Sequence, residues 1–199
     1  MRIRNTRLLT RDMKRNAFSL IELLVVVAII GILATLSVPA WNAIAEGNRM
    51  TSAAQSLSDG LRLARQLALA KNSPVEFRIF NTLPKDGVTS NYCAFAYYQL
   101  TESGTTNQMT RTNYLPSGTA LSTAANYSTL IGPNGPTYSA SPAYNSFRFR
   151  PDGSTDLSVS SNWCVTIVRE RDATNTTLPN NFITLKLDAF NGNISFYRR

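Results

Sequence analysis

The stretch Phe18 to Val38 constrains this chain more than any other feature of it. It is apolar almost throughout. As a helix rising about 1.5 Å per residue it would span roughly 31 Å, the thickness of a bilayer's hydrocarbon core. Yet a carboxylate, Glu22, stands near its start. An ionisable side chain inside a span costs about 2–3 kcal/mol on insertion scales, less towards the end. Such a group usually has a partner, and the partner is the functional clue.

The flanks set a direction. The 199 residues carry a formal net charge of +8. Arg2, Arg4, Arg7, Arg11, Lys14 and Arg15 all precede the apolar run, with Asp12 the one acid among them. From Phe18 onward the balance falls to +3. Basic charge gathered ahead of an apolar run is a topology signal, not a nucleic-acid footprint. It leaves residues 1–17 in the cytoplasm and sends the rest outward. A secretory signal ending at Val38-Pro39-Ala40 is disfavoured, because its apolar core would be about 7–15 residues and would rarely hold a carboxylate. A cut between Ala17 and Phe18 would supply the partner that Glu22 needs. The new amine would lie one helical turn from the carboxylate, at the positive end of the helix dipole. Within one chain that pair is weak. Between chains in a helix bundle both charges leave water and require each other.

The chain has no histidine. That removes Ser-His and Cys-His catalytic arrangements and the commonest metal ligand. Carboxylates are sparse and fall at no readable catalytic spacing, so no catalytic, cofactor or metal site is expected. Cys93 and Cys164 form no CxxC pair. Two readings stand: a disulfide in an exported domain, or two buried thiols.

Pro39 is expected to kink the helix without ending it, and Gly31 to loosen it. Beyond it Met50, Ala54, Leu57, Leu61, Ala64 and Ala68 recur at three- and four-residue steps. Arg49, Asp59, Arg62, Arg65 and Gln66 largely fill the other face. The helix should end near Lys71-Asn72, since Ser73 precedes Pro74. The period then becomes two, with Val75, Phe77 and Ile79 on one face. Further strands are expected at Tyr92–Leu100, Phe147–Phe149, Trp163–Arg169, Phe182–Leu187 and Ile194–Tyr197, with turns at Pro151-Asp152-Gly153 and Asn191-Gly192. Residues 101–146 read as long loops with at most a short strand near Tyr127–Ile131. The fold class is α+β, a long helix against an antiparallel head. Four segments follow: leader 1–17, membrane or filament-core helix 18–40, amphipathic helix 41–72, and β-rich head 73–199.

Two surface features have a chemical reading beside a plain one. Asp152-Gly153-Ser154-Thr155-Asp156 could be a calcium loop, but it offers too few oxygens, and a turn is preferred. Arg148, Arg150, Arg198 and Arg199, interleaved with Phe149, Phe196 and Tyr197, could contact nucleic acid. The wet face of edge strands is the preferred reading.

The run from Phe18 to Ala34, with its basic leader, Glu22 and Pro39 in register, resembles the class III signal of type IV pilins and type II secretion pseudopilins. The resemblance implies cleavage by prepilin peptidase between Ala17 and Phe18, with methylation of the new Phe18 amine. It implies pairing of Glu22 with that amine on an adjacent subunit, which sets the filament stagger. The residue before the cut is usually glycine in that family, and here it is Ala17. Farther on, Leu61 to Ala70, the run Phe149-Arg150-Pro151-Asp152-Gly153-Ser154 and the strands around Asn191-Gly192 resemble minor pilins and pseudopilins of the GspH/FimT type. The combination is also similar to a pilin-like family described as Verru_Chthon cassette protein D. These resemblances imply a non-enzymatic structural subunit of a type II secretion or type IV pilus-like filament. Its partners would be prepilin peptidase, other pilins and the membrane. It would sit single-pass in a bacterial inner membrane, N-terminus cytoplasmic and head periplasmic. Two alternatives remain open: a DNA-binding minor pilin for DNA uptake, and an anchored envelope enzyme or ligand-binding domain.

Overall fold

The computed structural model describes residues 19–85, 89–101, 104–132, 135–140 and 142–198, with the side chains of 36–40, 42 and 43 outside the description. The expected cut and methylation at Ala17 and Phe18, and Arg199, lie outside the described residues. The chain divides into two compact units, Met1–Ala43 and Ile44–Arg199, and helix α1, Leu20–Lys71, contributes to both.

In the first unit the helix begins with a cap. The Ser19 Oγ accepts the Glu22 N–H at 3.2 Å, and the Ser19 C=O accepts the N–H groups of Glu22 and Leu23 at 3.1 and 3.2 Å. Ser19 and Glu22 have the Ser-x-x-Glu spacing of a capping box, with the acid in the first turn, where the helix dipole favours it. Gly31 and Pro39 both lie within the helix. Its apolar side chains are bare: Leu20 is 82% exposed, and Leu24 and Ile32 each 62%. Among the described residues no helix is long and apolar enough to cross a membrane. The span is expected over 18–40. Of that segment only 19–35 has described side chains, fewer than the roughly 20 residues a crossing needs.

The second unit is an antiparallel sheet with the rest of the helix on one face. Its strands are β1 Val75–Thr82, β2 Asn91–Leu100, β3 Thr106–Gln108, β4 Asn113–Tyr114, β5 Thr119–Leu121, β6 Tyr138–Ala140, β7 Ala143–Phe149, β8 Trp163–Arg169, β9 Ile183–Leu187 and β10 Ile194–Arg198. They are ordered β10-β9-β8-β5-β2-β1-β7-β6, with β3 and β4 also paired to β2. Met50, Ala54, Leu57, Leu61, Ala64 and Ala68 are all buried, as their spacing requires. They meet Val75, Phe77 and Ile79 of β1 and Phe147 and Phe149 of β7 in one core. Phe77 sits at its centre, 5.5 Å from the Phe95 ring and 5.7 Å from those of Tyr97 and Phe147.

Gly60 sets how closely helix and sheet approach. A methyl there would lie 2.5 Å from Phe95 Cε2 and 3.0 Å from the Tyr97 hydroxyl. Helix propensity would favour alanine by about 0.5–1 kcal/mol. Overpacking costs about 1–3 kcal/mol, and the contact is with buried rings, so the clash wins. Gly60→Ala should therefore lower the urea midpoint at unchanged m-value; a raised midpoint would mean the sheet can give way.

The helix ends where expected, and Asn72 does the ending. Its φ is +46. The N–H of Asn72 donates to the Leu69 C=O and that of Ser73 to the Ala68 C=O, each at 3.3 Å. These two bonds close a Schellman motif, which favours glycine at the left-handed position. Asn72→Gly should stabilise the chain by up to about 1 kcal/mol and Asn72→Val destabilise it by more. Equal melting temperatures in the two variants would contradict this.

Residues 101–146 differ from the expectation of long loops. They contain β3, β4, β5, β6 and the start of β7. The strands before β7 are two or three residues long, too short for alternation to show in a Ser/Thr/Asn-rich stretch. β3, β4 and β5 exist because β2 offers them an edge, with Tyr98 opposite Gln108, Ala94 opposite Tyr114 and Tyr92 opposite Leu121, and β6 pairs with β7. Tyr127–Ile131 is not a strand. Its Thr129 and Leu130 N–H groups converge on the Cys164 C=O, at 2.8 and 3.1 Å, which folds it as a turn over the sheet.

Candidate functional site

Three stretches far apart in the chain meet around one side chain. Arg65 of α1 donates from Nε to the Gly153 C=O at 3.1 Å. Gly153, after β7, and Gly192, before β10, are both left-handed, with φ of +83 and +66. A methyl on Gly153 would lie 3.1 Å from Arg65 Nε. One on Gly192 would lie 2.6 Å from the Gly153 carbonyl oxygen and 3.0 Å from Arg65 Cδ. At Gly192 a Cβ would therefore collide with backbone, and at Gly153 it would press on the Arg65 side chain. Thr155 adds a second lock: its N–H and hydroxyl both donate to the Ala189 C=O, at 3.0 and 2.8 Å. Beside this clasp a cleft of about 420 Å³ is lined by Arg65, Arg150 and Asp152, with Val159 and Phe190 among its walls. The clasp holds elements together across the chain.

A second cluster lies on the sheet face away from the helix. Glu76 is 5% exposed. Arg78 donates to it twice, Nε to Oε1 at 2.9 Å and Nη2 to Oε2 at 3.0 Å, a bidentate pair. The guanidinium lies 3.9 Å over the Tyr98 ring and 4.9 Å from that of Tyr144, and Nη2 also donates to Thr106 Oγ1 at 3.2 Å. Burial pushes the Glu76 carboxyl up. Hydrogen bonds from Arg78 and Ser146, and the charges of Arg78 and Arg148, outweigh it and hold the group below the usual carboxylate range.

Of the arginines that could contact nucleic acid, the three among the described residues do not form one patch. Arg148 is exposed on β7 opposite Glu76 of β1, and Arg150 lines the cleft beside Asp152. Arg198 reaches the other way, donating from Nη1 to Thr51 Oγ1 at 3.1 Å. Thr51 and Arg65 are 14 positions apart on α1, about 21 Å along the axis. The Asp152–Asp156 stretch folds as a turn. Asp152 accepts the Ser154 N–H and hydroxyl at 2.9 and 2.7 Å, which holds its carboxyl below the usual range, and Asp156 accepts the Arg148 N–H at 2.8 Å.

The disulfide reading of Cys93 and Cys164 does not hold; both are free. Cys93 is on β2 and Cys164 on β8, with β5 between them in the sheet. Two strand spacings are about 9.6 Å, beyond the roughly 4.4–6.8 Å that a disulfide allows between Cα atoms. Burial pushes the Cys93 thiol up to about 11, with the Glu170 charge adding to it.

The prokaryotic N-terminal methylation motif matches residues 12–38. The family model for the type II transport protein GspH matches residues 53–178, well over half of the chain. The chain belongs to the GspH family. This GspH-type pseudopilin is similar in structure to the minor pseudopilin EpsH from the type 2 secretion system of Vibrio cholerae. The identity is 15% and the TM-score 0.48, over 75% of this chain and 97% of that one. A second structure of EpsH gives 15% and 0.46, over 76% and 94%. The type IV minor pilin FimU of Pseudomonas aeruginosa gives 14% and 0.46, over 75% and 89%. No curated protein matches the chain.

The clasp unites the stretches on which the GspH/FimT resemblance rests, although in the sequence its members look like an outer helix face and two separate turns. The Ser-x-x-Glu spacing at Ser19–Glu22 is a local signal for a capping box, and charge pairing in the apolar run is not needed to explain it. Glu76 and Arg78 carry no signal beyond alternation, since a buried pair on the outer sheet face depends on Tyr98 and Tyr144 arriving from other strands.

Proposed function

We propose that this GspH-type pseudopilin is a structural, non-enzymatic subunit of a type II secretion or type IV pilus-like filament. The observation that carries this reading is the bare apolar helix of the first unit, with its large apolar residues from Leu20 to Leu33 at 44–82% exposure. It falls inside the methylation motif, ahead of a head whose own core is complete. An apolar surface of that extent must be covered by lipid or by neighbouring helices. Prepilin peptidase would cut between Ala17 and Phe18. The methylated amine of Phe18 would then meet Glu22 of the adjacent subunit, and the head would stand in the periplasm.

Ser19 complicates Glu22, because capping alone accounts for an acid at that position. Glu22→Gln separates the two roles, since glutamine also serves in a capping box but carries no charge. It should stay in the membrane yet fall at least tenfold in filament incorporation; wild-type incorporation would assign Glu22 to capping alone. The processing itself is tested by the mass of the N-terminal peptide from membranes. A chain starting at methylated Phe18 supports the reading, and one starting at Met1 or Trp41 overturns it. No single observation favours nucleic-acid contact. Gel retardation of DNA by the full chain, lost on joint replacement of Arg148, Arg150, Arg198 and Arg199 by alanine, would reverse that order.

A further inference from the structure

Among the described residues the main strand path of the sheet has two ends, and they are built differently. β6, at one end, is three residues long and lies between Pro136 and Pro142. Short length and nearby prolines blunt an edge against pairing. β10, at the other end, is five residues without proline, Ile194-Ser195-Phe196-Tyr197-Arg198, and among the described residues it pairs with β9 alone. Phe196 is 44% exposed and Tyr197 57%.

The register shows which backbone groups are open. The Asp188 N–H donates to the Asn193 C=O at 2.9 Å, and the Gly192 N–H to the Asp188 C=O at 2.8 Å. Antiparallel pairs alternate between bonded and non-bonded, so Ser195 and Tyr197 bond to β9. Ile194, Phe196 and Arg198 then turn their N–H and C=O groups outward. Along the first half of this edge a groove of about 420 Å³ separates β10 from the helix, lined by Arg62, Gln66, Ile194 and Ser195 among others. Its surroundings are basic. Arg62 stands across the groove, exposed Lys186 lies opposite Ser195, and Arg198 ends the strand. The acid at the turn, Asp188, is already engaged by the Phe190 N–H at 2.9 Å.

We propose that the open edge of β10 accepts an extended acidic strand from a different subunit of the filament, by main-chain pairing to Ile194, Phe196 and Arg198. This rests on the filament reading above. Strand addition takes its affinity from main-chain bonds and its specificity from alternate side chains. A second copy of this chain is the wrong partner, because two basic edges would oppose like charges. An acidic strand would pair its carboxylates with Lys186, Arg198 and Arg62.

The test uses the full chain in cells that assemble the filament, with photoreactive p-benzoylphenylalanine in place of Ser195. The expected product maps to an acidic extended segment of another subunit bearing the methylation motif. Phe196→Pro removes one outward N–H and leaves the bonds to β9, so it should lower crosslink yield at least tenfold with the melting temperature little changed. Phe196→Ala keeps the N–H and should lower it less than threefold. Arg198→Glu, which reverses the charge without touching the backbone, should also lower the yield tenfold. If the protein enters filaments but crosslinks only to itself or to nothing, the inference fails and the filament reading stands. The inference fails in the same way if alanine and proline at 196 act alike and Arg198→Glu is silent. If the unmodified chain never enters a filament, both fail.

Discussion

Arg78→Ala is expected to lower the unfolding free energy by about 3–5 kcal/mol, the range for a buried pair that loses one partner. The size follows from what is left behind. Glu76, 5% exposed in the parent chain, loses both of its bonds from Arg78. Tyr98 and Tyr144 lose the cation between them. The pH response identifies the cause. In the parent chain the Glu76 pKa is depressed on folding, so its contribution is present above the unfolded carboxylate value and is lost as pH falls through the folded one. Without Arg78, only Ser146 and Arg148 still oppose burial, so the folded pKa rises from its parent value. The variant should then lose less stability than the parent as pH falls below about 5, because less of the depression that acid removes is left. Urea unfolding at several pH values measures this, and parallel curves for the two proteins would exclude a stranded carboxylate as the cause. Glu76→Gln together with Arg78→Met should recover most of the loss, because the pair is then removed as a unit.

Gly192→Ala is expected to cost about 2–5 kcal/mol. A non-glycine residue in the left-handed region costs about 1–2 kcal/mol. The added methyl would also lie 2.6 Å from the Gly153 carbonyl oxygen, which is backbone and is itself bonded to Arg65. Relief requires moving one of two locked turns, at a further cost of about 1–3 kcal/mol. Gly118→Ala is the control, since its φ is +81 but its methyl would meet nothing nearer than 3.8 Å. It should show the conformational cost alone. If the two variants melt together, the clasp does not hold these turns against each other. Arg65→Ala, which frees the Gly153 carbonyl, should reduce the difference between them.

How much of this is legible in the chain depends on the range of the interaction. The apolar run, the basic leader and Glu22 are local patterns, and they predict a membrane or filament helix before any fold is known. The three- and four-residue steps from Met50 to Ala68 predict the buried helix face, and each of those residues is buried. The pre-proline Ser73 predicts the helix end to within a residue. Val75, Phe77 and Ile79 predict their face by alternation. All of these signals repeat within a turn or two of chain, so composition and spacing carry them.

What is not legible is decided between distant residues. The Tyr127–Ile131 segment has strand-like residues, but its N–H groups found the Cys164 carbonyl instead. β3, β4 and β5 are strands because β2 lends them an edge. The cysteines are unpaired because β5 lies between their strands. The arginines divide because Arg198 turns to Thr51 while Arg150 turns to the clasp. The sequence by itself therefore determined the helix, its apolar half, its packing face and the alternating strands, since each rests on the periodicity of a continuous segment. Only the tertiary structure decided the Arg65 clasp, the Glu76–Arg78 pair and the open β10 edge, because each depends on which strand or turn stands next to which, and contacts between residues far apart in sequence leave no period to read.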